Sequence, residues 1–174
     1  VKFIDNRGGD SLWSEAWSFV TTVHPIDDDG NGVPDDQEIA ALTDLDQNGV
    51  ADHLQNDIKC VETPSGTVQI GIKCADADGF LDELTALESD TGGAPEAPPV
   101  NLPMGMVGFR MNLTHIGSIV EVTLYFSETL ADDLTWYKYT PLNGWEDYGN
   151  YVTFNADRRS VTMALQDGGF GDAD

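Results

Sequence analysis

The stretch Asp27-Asp28-Asp29-Gly30-Asn31-Gly32-Val33-Pro34-Asp35-Asp36-Gln37-Glu38 puts oxygen-bearing side chains at its first, third and fifth positions, glycine at the sixth, a carboxylate at the ninth and glutamate at the twelfth. The alternation turns the oxygens of Asp27, Asp29 and Asn31 toward one centre. Gly32 permits the sharp turn, Val33 offers a backbone carbonyl, and Asp35 and Glu38 close the shell. Such an all-oxygen set suits a hard divalent cation. Calcium takes six to eight oxygens at about 2.3–2.6 Å, and this is the position pattern of a twelve-residue calcium loop. A merely solvated acidic loop is the competing explanation, and it requires no particular spacing.

The arrangement recurs at an offset of 17 residues, with Asp44, Asp46, Asn48, the Val50 carbonyl and Asp52 in the equivalent places. Position twelve is here Gln55, a neutral ligand, so the second loop is expected to be weaker or to complete itself with Asp57. Two copies at a fixed short offset constitute an internal repeat. Two further acidic turns follow. Asp76-Ala77-Asp78-Gly79-Phe80-Leu81-Asp82 opens with calcium-loop spacing but lacks Asn-Gly, and an ordinary solvated turn accounts for it equally well. The C-terminal QDGGFGDAD sets Asp167, Asp172 and Asp174 around three glycines, a loop suited to wrapping another cation. The expected cofactor is therefore calcium, two ions or more.

These loops must be held by the rest of the chain, and its composition limits how. The 174 residues carry 31 Asp plus Glu against 8 Lys plus Arg, a formal charge of −23. That sign disfavours nucleic acid, which needs a basic footprint to displace phosphate counterions, and anionic membrane surfaces. No run reaches the roughly 18 apolar residues of a transmembrane helix, and the opening VKFIDNRGGD lacks the pattern of a signal peptide. No basic residue lies between Arg7 and Lys59, an interval dense in Asp and Glu whose self-repulsion resists compaction unless a cation neutralises it. Halophilic acidity without metal would instead scatter the acids over the surface.

Composition separates three zones, 1–22, 23–57 and 58–174. In the first, Trp13, Trp17 and Phe19 alternate with polar residues as in a strand. The second is rich in Asp, Asn and Gly and too poor in large apolar side chains for a conventional core. The third consists of short period-two segments separated by turn residues: 106–111, 119–126, 135–140, 151–154 and 160–165. In 119–126, Val120, Val122, Leu124 and Phe126 face one way, and Glu121, Thr123 and Tyr125 the other. The predicted fold is mainly β, an antiparallel β-sandwich preceded by the calcium-binding loop repeats. The Pro/Gly-rich stretch 89–103 reads as a connection, and helix is expected only as short turns near 37–42 and 51–57.

Cys60 and Cys74 are too few for a zinc site and form no CxxC. Fourteen residues apart around a strand-like stretch, they read as one local disulfide, worth about 3 kcal/mol in the loop-entropy model. A pair of buried free thiols is the alternative. A disulfide would imply an oxidising, extracytoplasmic compartment. Enzyme signatures are absent: His24, His53 and His115 are isolated, and there is no HExxH, GxSxG or Gly-rich phosphate loop. Aromatics cluster at Trp136, Tyr137, Tyr139, Trp145, Tyr148 and Tyr151. They are either sandwich core or stacking faces for sugar rings.

The paired loops resemble thrombospondin type 3 repeats, whose pattern DxDxDGxxDxxE is matched by Asp27 to Glu38 and mostly by Asp44 to Gln55. The resemblance implies repeats in which calcium replaces a hydrophobic core and which act as calcium-rigidified spacers. Dockerins also pair calcium loops, but with longer helices than Ile39 to Thr43 allows. Residues 58–174 resemble the bacterial choice-of-anchor U-type domain, through PMGMVGFRM, GSIVEVTLYFSE, WYKY followed by Gly144-Trp145, and VTMALQDGGFGDAD. That family's pattern continues past DGGxGDxD, which implies a C-terminally incomplete sandwich. WSFVTT resembles the last strand of bacterial Ig-like domains, so that residues 1–22 read as the tail strand of such a domain or as an assembly strand. Together these imply a non-enzymatic, extracellular or surface-anchored bacterial module with a structural or adhesive role. Its partners would be calcium, other copies of itself or other surface proteins, and glycans in the carbohydrate-binding reading. The alternatives are a filament subunit assembled by strand addition and a carbohydrate-binding module.

Overall fold

The computed structural model describes residues 26–28, 30–88, 97–140 and 143–169. The chain is mainly β and antiparallel, as predicted. The described residues hold nine strands, β1 (Ile58–Glu62), β2 (Gln69–Cys74), β3 (Gly79–Leu87), β4 (Met106–Leu113), β5 (Ile119–Phe126), β6 (Tyr137–Thr140), β7 (Gly144–Asp147), β8 (Val152–Phe154) and β9 (Ser160–Gln166). Five form one sheet in the order β1-β2-β5-β9-β8, while β3-β4 and β6-β7 are separate two-stranded ribbons. Among the described residues helix is confined to three single 3-10 turns, two of them at Asp35–Gln37 and Asp52–Leu54.

The core forms where the β3-β4 ribbon covers one face of the sheet. Val120, Val122, Leu124 and Phe126 of β5 are at most 1% exposed, and they pack with Ile70 and Ile72 of β2, Val161 and Met163 of β9, and Leu81, Leu84 and Ala86 of β3. Period two thus places the apolar side of β5 inward, since alternate side chains of a strand point to opposite faces. The two layers are unequal, a five-stranded sheet beneath a two-stranded ribbon. In β3 a register shift between Leu81 and Glu83 changes the phase, so the buried Leu81 and Leu84 are three residues apart. That shift erases the alternation from the sequence, and Asp76 to Asp82 consequently reads as a turn when half of it is strand.

The second face of the sheet is covered near β1 by the acidic repeat segment. Leu45 packs with Ile58 and Cys60 of β1, joined by Ile39 and by Tyr125 of β5. Val33 belongs instead to the main core, on the opposite face. Residues 31–54 therefore pass around the edge strand β1 and bury one apolar side chain on each side of it. Gly71 makes this possible. A Cβ there would meet Cys60 Sγ at 3.0 Å, Ile58 Cδ1 at 3.1 Å and Leu45 Cδ1 at 3.2 Å.

The expected disulfide between Cys60 and Cys74 does not form; both thiols are free and buried. The reason lies in the register. Cys60 pairs with Gly71, and Ile58 with Lys73, so in this hairpin two even-numbered residues lie on opposite faces. Cys60 accordingly faces Leu45, whereas Cys74 joins the main core.

Candidate metal centre

The two acidic loops are built by the same hydrogen bonds. At position one, Asp27 accepts from the N–H of Asn31 (3.1 Å) and of Gly32 (3.0 Å); Asp44 accepts from Asn48 (3.1 Å) and Gly49 (2.9 Å). At position five, Asn31 Oδ1 takes the Val33 N–H at 2.7 Å, and Asn48 Oδ1 takes that of Val50 at 2.8 Å. The position-nine carboxylate reaches back across the loop, Asp35 to the Asp28 N–H and Asp52 to the Leu45 N–H, each at 2.9 Å. Finally, the Asn31 amide donates to Glu38 Oε1 and the Asn48 amide to Gln55 Oε1, each at 2.7 Å. Gly32 and Gly49 hold φ of 84° and 87°, a conformation glycine adopts without Cβ strain. Each loop ends in its own 3-10 turn, Asp35–Gln37 or Asp52–Leu54.

In the second loop Asp44, Asp46 and Asp52 converge, with one oxygen of each within 4.8 Å of the others. Two oxygens on opposite sides of a calcium ion at about 2.4 Å stand no farther apart than this, so the triad could hold a metal ion. The convergence is costly without a cation. Asp52 is 2% exposed, and burial pushes its carboxyl up despite hydrogen bonds from Leu45 N–H and Cys60, with the charges of Asp46 and Asp44 adding to the rise. For Asp46 burial also acts upward, but hydrogen bonds from Lys73 and Asn48 outweigh it and hold that carboxyl below the usual range. The oxygens are meanwhile satisfied by N–H and S–H donors. Lys73 Nζ lies 2.6 Å from Asp46 Oδ2, Gln55 Nε2 donates to the Val50 carbonyl at 3.2 Å, and Cys60 Sγ donates to Asp52 Oδ2 at 3.3 Å. Burial, reinforced by the same carboxylate, pushes the Cys60 thiol far up, which leaves it protonated and unreactive.

The first loop is fastened to β3. Leu84 N–H donates to the Gly32 carbonyl at 2.9 Å. The Gln37 side-chain amide then imitates a strand partner, accepting from Ala86 N–H at 2.7 Å and donating to the Ala86 carbonyl at 3.2 Å. These bonds occupy an edge of the ribbon that would otherwise present open donors and acceptors. A Cβ on Gly32 would collide with the Asp82 carbonyl oxygen, so glycine is required here by contact as well as by φ. From β1, Lys59 Nζ donates to the Asn31 carbonyl.

The structure thus brings together Asp44, Asp46 and Asp52, with Asn48, Val50 and Gln55 in contact. It sets Asp27, Asn31, Val33, Asp35 and Glu38 in the matching scheme. Asp29, Asp172 and Asp174 lie outside the described residues, as does the strand-like segment of residues 1–22. Asp167 accepts from the Gly117 N–H at 2.8 Å and so fastens the β4–β5 turn. Asp57 turns to Lys73 at 3.2 Å. The turn after β2 distributes its acids among separate partners: Asp76 takes the Glu121 N–H at 2.6 Å, Asp78 the Thr114 hydroxyl at 3.2 Å, and Asp82 the Arg110 guanidinium at 2.5 Å. Five of the six aromatic rings meet another ring. Tyr148 and Tyr151 stack at 4.8 Å, Tyr139 and Trp145 lie at 5.3 Å, and Trp136 packs edge-on to Phe126; only Tyr151 of the six is exposed.

Sequence reasoning passed over Lys59 and Lys73. The available signal was their scarcity, since they are the only basic residues between Arg7 and Arg110, and both reach an acidic loop. No helix of the described residues is long and apolar enough to cross a membrane. Comparison with family models, with curated proteins and with solved structures gives no match.

Proposed function

We propose that residues 27–55 bind two calcium ions and that the chain is a non-enzymatic structural module of an extracellular or surface-attached protein. The observation that supports this best is the equivalence of the two loops. Five hydrogen-bond relations recur at the same positions, and in both loops the side chains of positions one, five, nine and twelve are tied into one compact arrangement. The donor set is entirely oxygen, which favours calcium over softer metals. A convergent triad whose Asp52 carboxyl is pushed up by burial is a place where a divalent ion would compensate unfavourable charge.

The contribution of calcium here is mechanical. The segment wraps the β1 edge with Val33 on one face and Leu45 on the other, so neutralising its loops would fasten it to the sheet. The resemblance to thrombospondin type 3 repeats agrees with the metal but describes a free spacer, whereas these loops are docked. Millimolar extracellular calcium would saturate sites of modest affinity, which fits a surface location. Thermal unfolding and elemental analysis test the proposal together: bound calcium near two per chain and a midpoint lowered by excess EDTA are expected. An unchanged midpoint with no retained calcium would overturn it.

A further inference from the structure

We infer that Lys73 is an internal counter-ion that sets the calcium affinity of the second loop, and that Asp57 receives its ammonium when calcium binds. The inference rests on the calcium reading of that loop and concerns its regulation. Lys73 sits on β2, paired with Ile58, which puts it on the sheet face that carries Tyr125 and the second loop. Its Nζ lies 2.6 Å from Asp46 Oδ2 and 3.2 Å from Asp57 Oδ2. The two acceptors differ in setting, for the Asp46 side chain is 3% exposed and that of Asp57 46%.

Asp46 stands at position three of the loop, and its Oδ2 already accepts from Lys73 and, at 2.9 Å, from the Asn48 amide. A cation entering beside Asp44, Asp46 and Asp52 meets a resident positive charge in contact with one of its ligands. Two like charges at such range repel unless one moves. Lys73 can move without losing a partner, because Asp57 is within reach of the same ammonium and more open to water. Binding then becomes an exchange, in which the divalent ion takes Asp46 and the ammonium shifts onto Asp57.

Among the described residues of the first loop, the lysine contact is of a different kind. Its lysine, Lys59, contacts the Asn31 backbone carbonyl, an oxygen outside the set of side chains and position-seven carbonyl that form the calcium shell. Its twelfth residue is Glu38, where the second loop has Gln55. The second loop is the weaker site by its neutral position twelve, and its resident ammonium lowers its affinity further.

Calorimetric titration of the whole chain with calcium chloride tests this in wild type, K73M, K73R, D57N and D44N. K73M should tighten the weaker step about tenfold, K73R should stay near wild type because it keeps the charge, and D57N should weaken that step about threefold. The metal-free urea midpoint supplies the second readout. K73M leaves Asp46 buried without its partner, so it should lower that midpoint while tightening calcium binding, whereas general damage to the fold would weaken both. If wild type binds calcium and D44N removes the weaker step, but K73M leaves affinity unchanged or reduced, the role of Lys73 is overturned and the calcium reading stands. If neither wild type nor K73M binds calcium, both fall together.

Discussion

Gly32 and Gly49 occupy the sixth position of their loops with nearly the same φ, 84° and 87°, yet their surroundings differ, and this separates a docked loop from a free spacer. An alanine at either position takes on left-handed strain of roughly 1–2 kcal/mol. At Gly49 nothing lies within 4 Å of the added methyl, so G49A should lose only that amount. At Gly32 the methyl would strike the Asp82 carbonyl of β3, a backbone atom that cannot swing aside. The loop must then leave the ribbon, giving up the Leu84 bond and the two-bond match of Gln37 to Ala86, each worth about 1 kcal/mol. Withdrawal of Val33, which is 4% exposed, costs about 1.5–3 kcal/mol more. Partial adjustment of β3 would recover some of this, so G32A should exceed G49A by roughly 3 kcal/mol, a large share of a typical domain stability. Urea unfolding of both variants in metal-free buffer measures the difference without any contribution from calcium. Equal losses would refute the docking and restore the picture of an independent spacer.

The remaining packing and cysteine expectations are simpler. G71A should destabilise by about 1–3 kcal/mol, because its methyl invades the space where Leu45 meets β1, and L45A in the same background should recover part of the loss in a double-mutant cycle. Thiol titration should find two free cysteines after denaturation and almost none reacting in the native protein; a single native band that shifts on reduction would contradict the register.

The strands that sequence periodicity disclosed are those with one wet and one dry face. Residues 119–126 alternate without interruption and form β5 over the same bounds, and 160–165 falls within β9. β3 was hidden by its register shift, which puts buried Leu81 and Leu84 out of phase. The two calcium-type loops were legible because their chemistry is local: positions one to twelve fold on themselves, and the hydrogen bonds among them span at most seven residues. Docking was not legible, since it depends on Gln37 meeting Ala86, 49 residues away, and on Val33 and Leu45, lone apolar residues in an acidic stretch that appeared unable to bury a core. The cysteine pairing failed for a related reason. Sequence separation indicates whether two thiols are near, but the parity of the β1–β2 register decides whether they share a face, and no local residue announces it.

Asp52 offers the sharpest test of the metal, because its substitution should change sign with occupancy. In the metal-free protein its carboxyl is pushed up by burial, with the hydrogen bonds of Leu45 and Cys60 only partly offsetting this and the charges of Asp46 and Asp44 reinforcing it. A carboxyl raised above its unfolded value lowers stability progressively as the pH rises from the unfolded to the folded pKa, so the cost is full above the folded pKa and gone below the unfolded one. D52N removes the ionisation while its amide oxygen can still accept the Leu45 N–H, which Asp52 now accepts at 2.9 Å. In metal-free buffer at pH 7, D52N should therefore match or exceed wild type in stability, with any advantage fading toward pH 4. Asp46 behaves oppositely, since its lowered carboxyl adds stability above about pH 3.8 that is lost only on further acidification. Calcium reverses the case for Asp52: the ion favours the carboxylate, and stabilisation by ligand grows with its concentration relative to Kd. In excess calcium at pH 7, D52N should be the less stable protein. Unfolding curves for both proteins, with and without calcium, decide the matter, and a variant weaker than wild type by the same amount in all conditions would show that Asp52 serves only its hydrogen bonds.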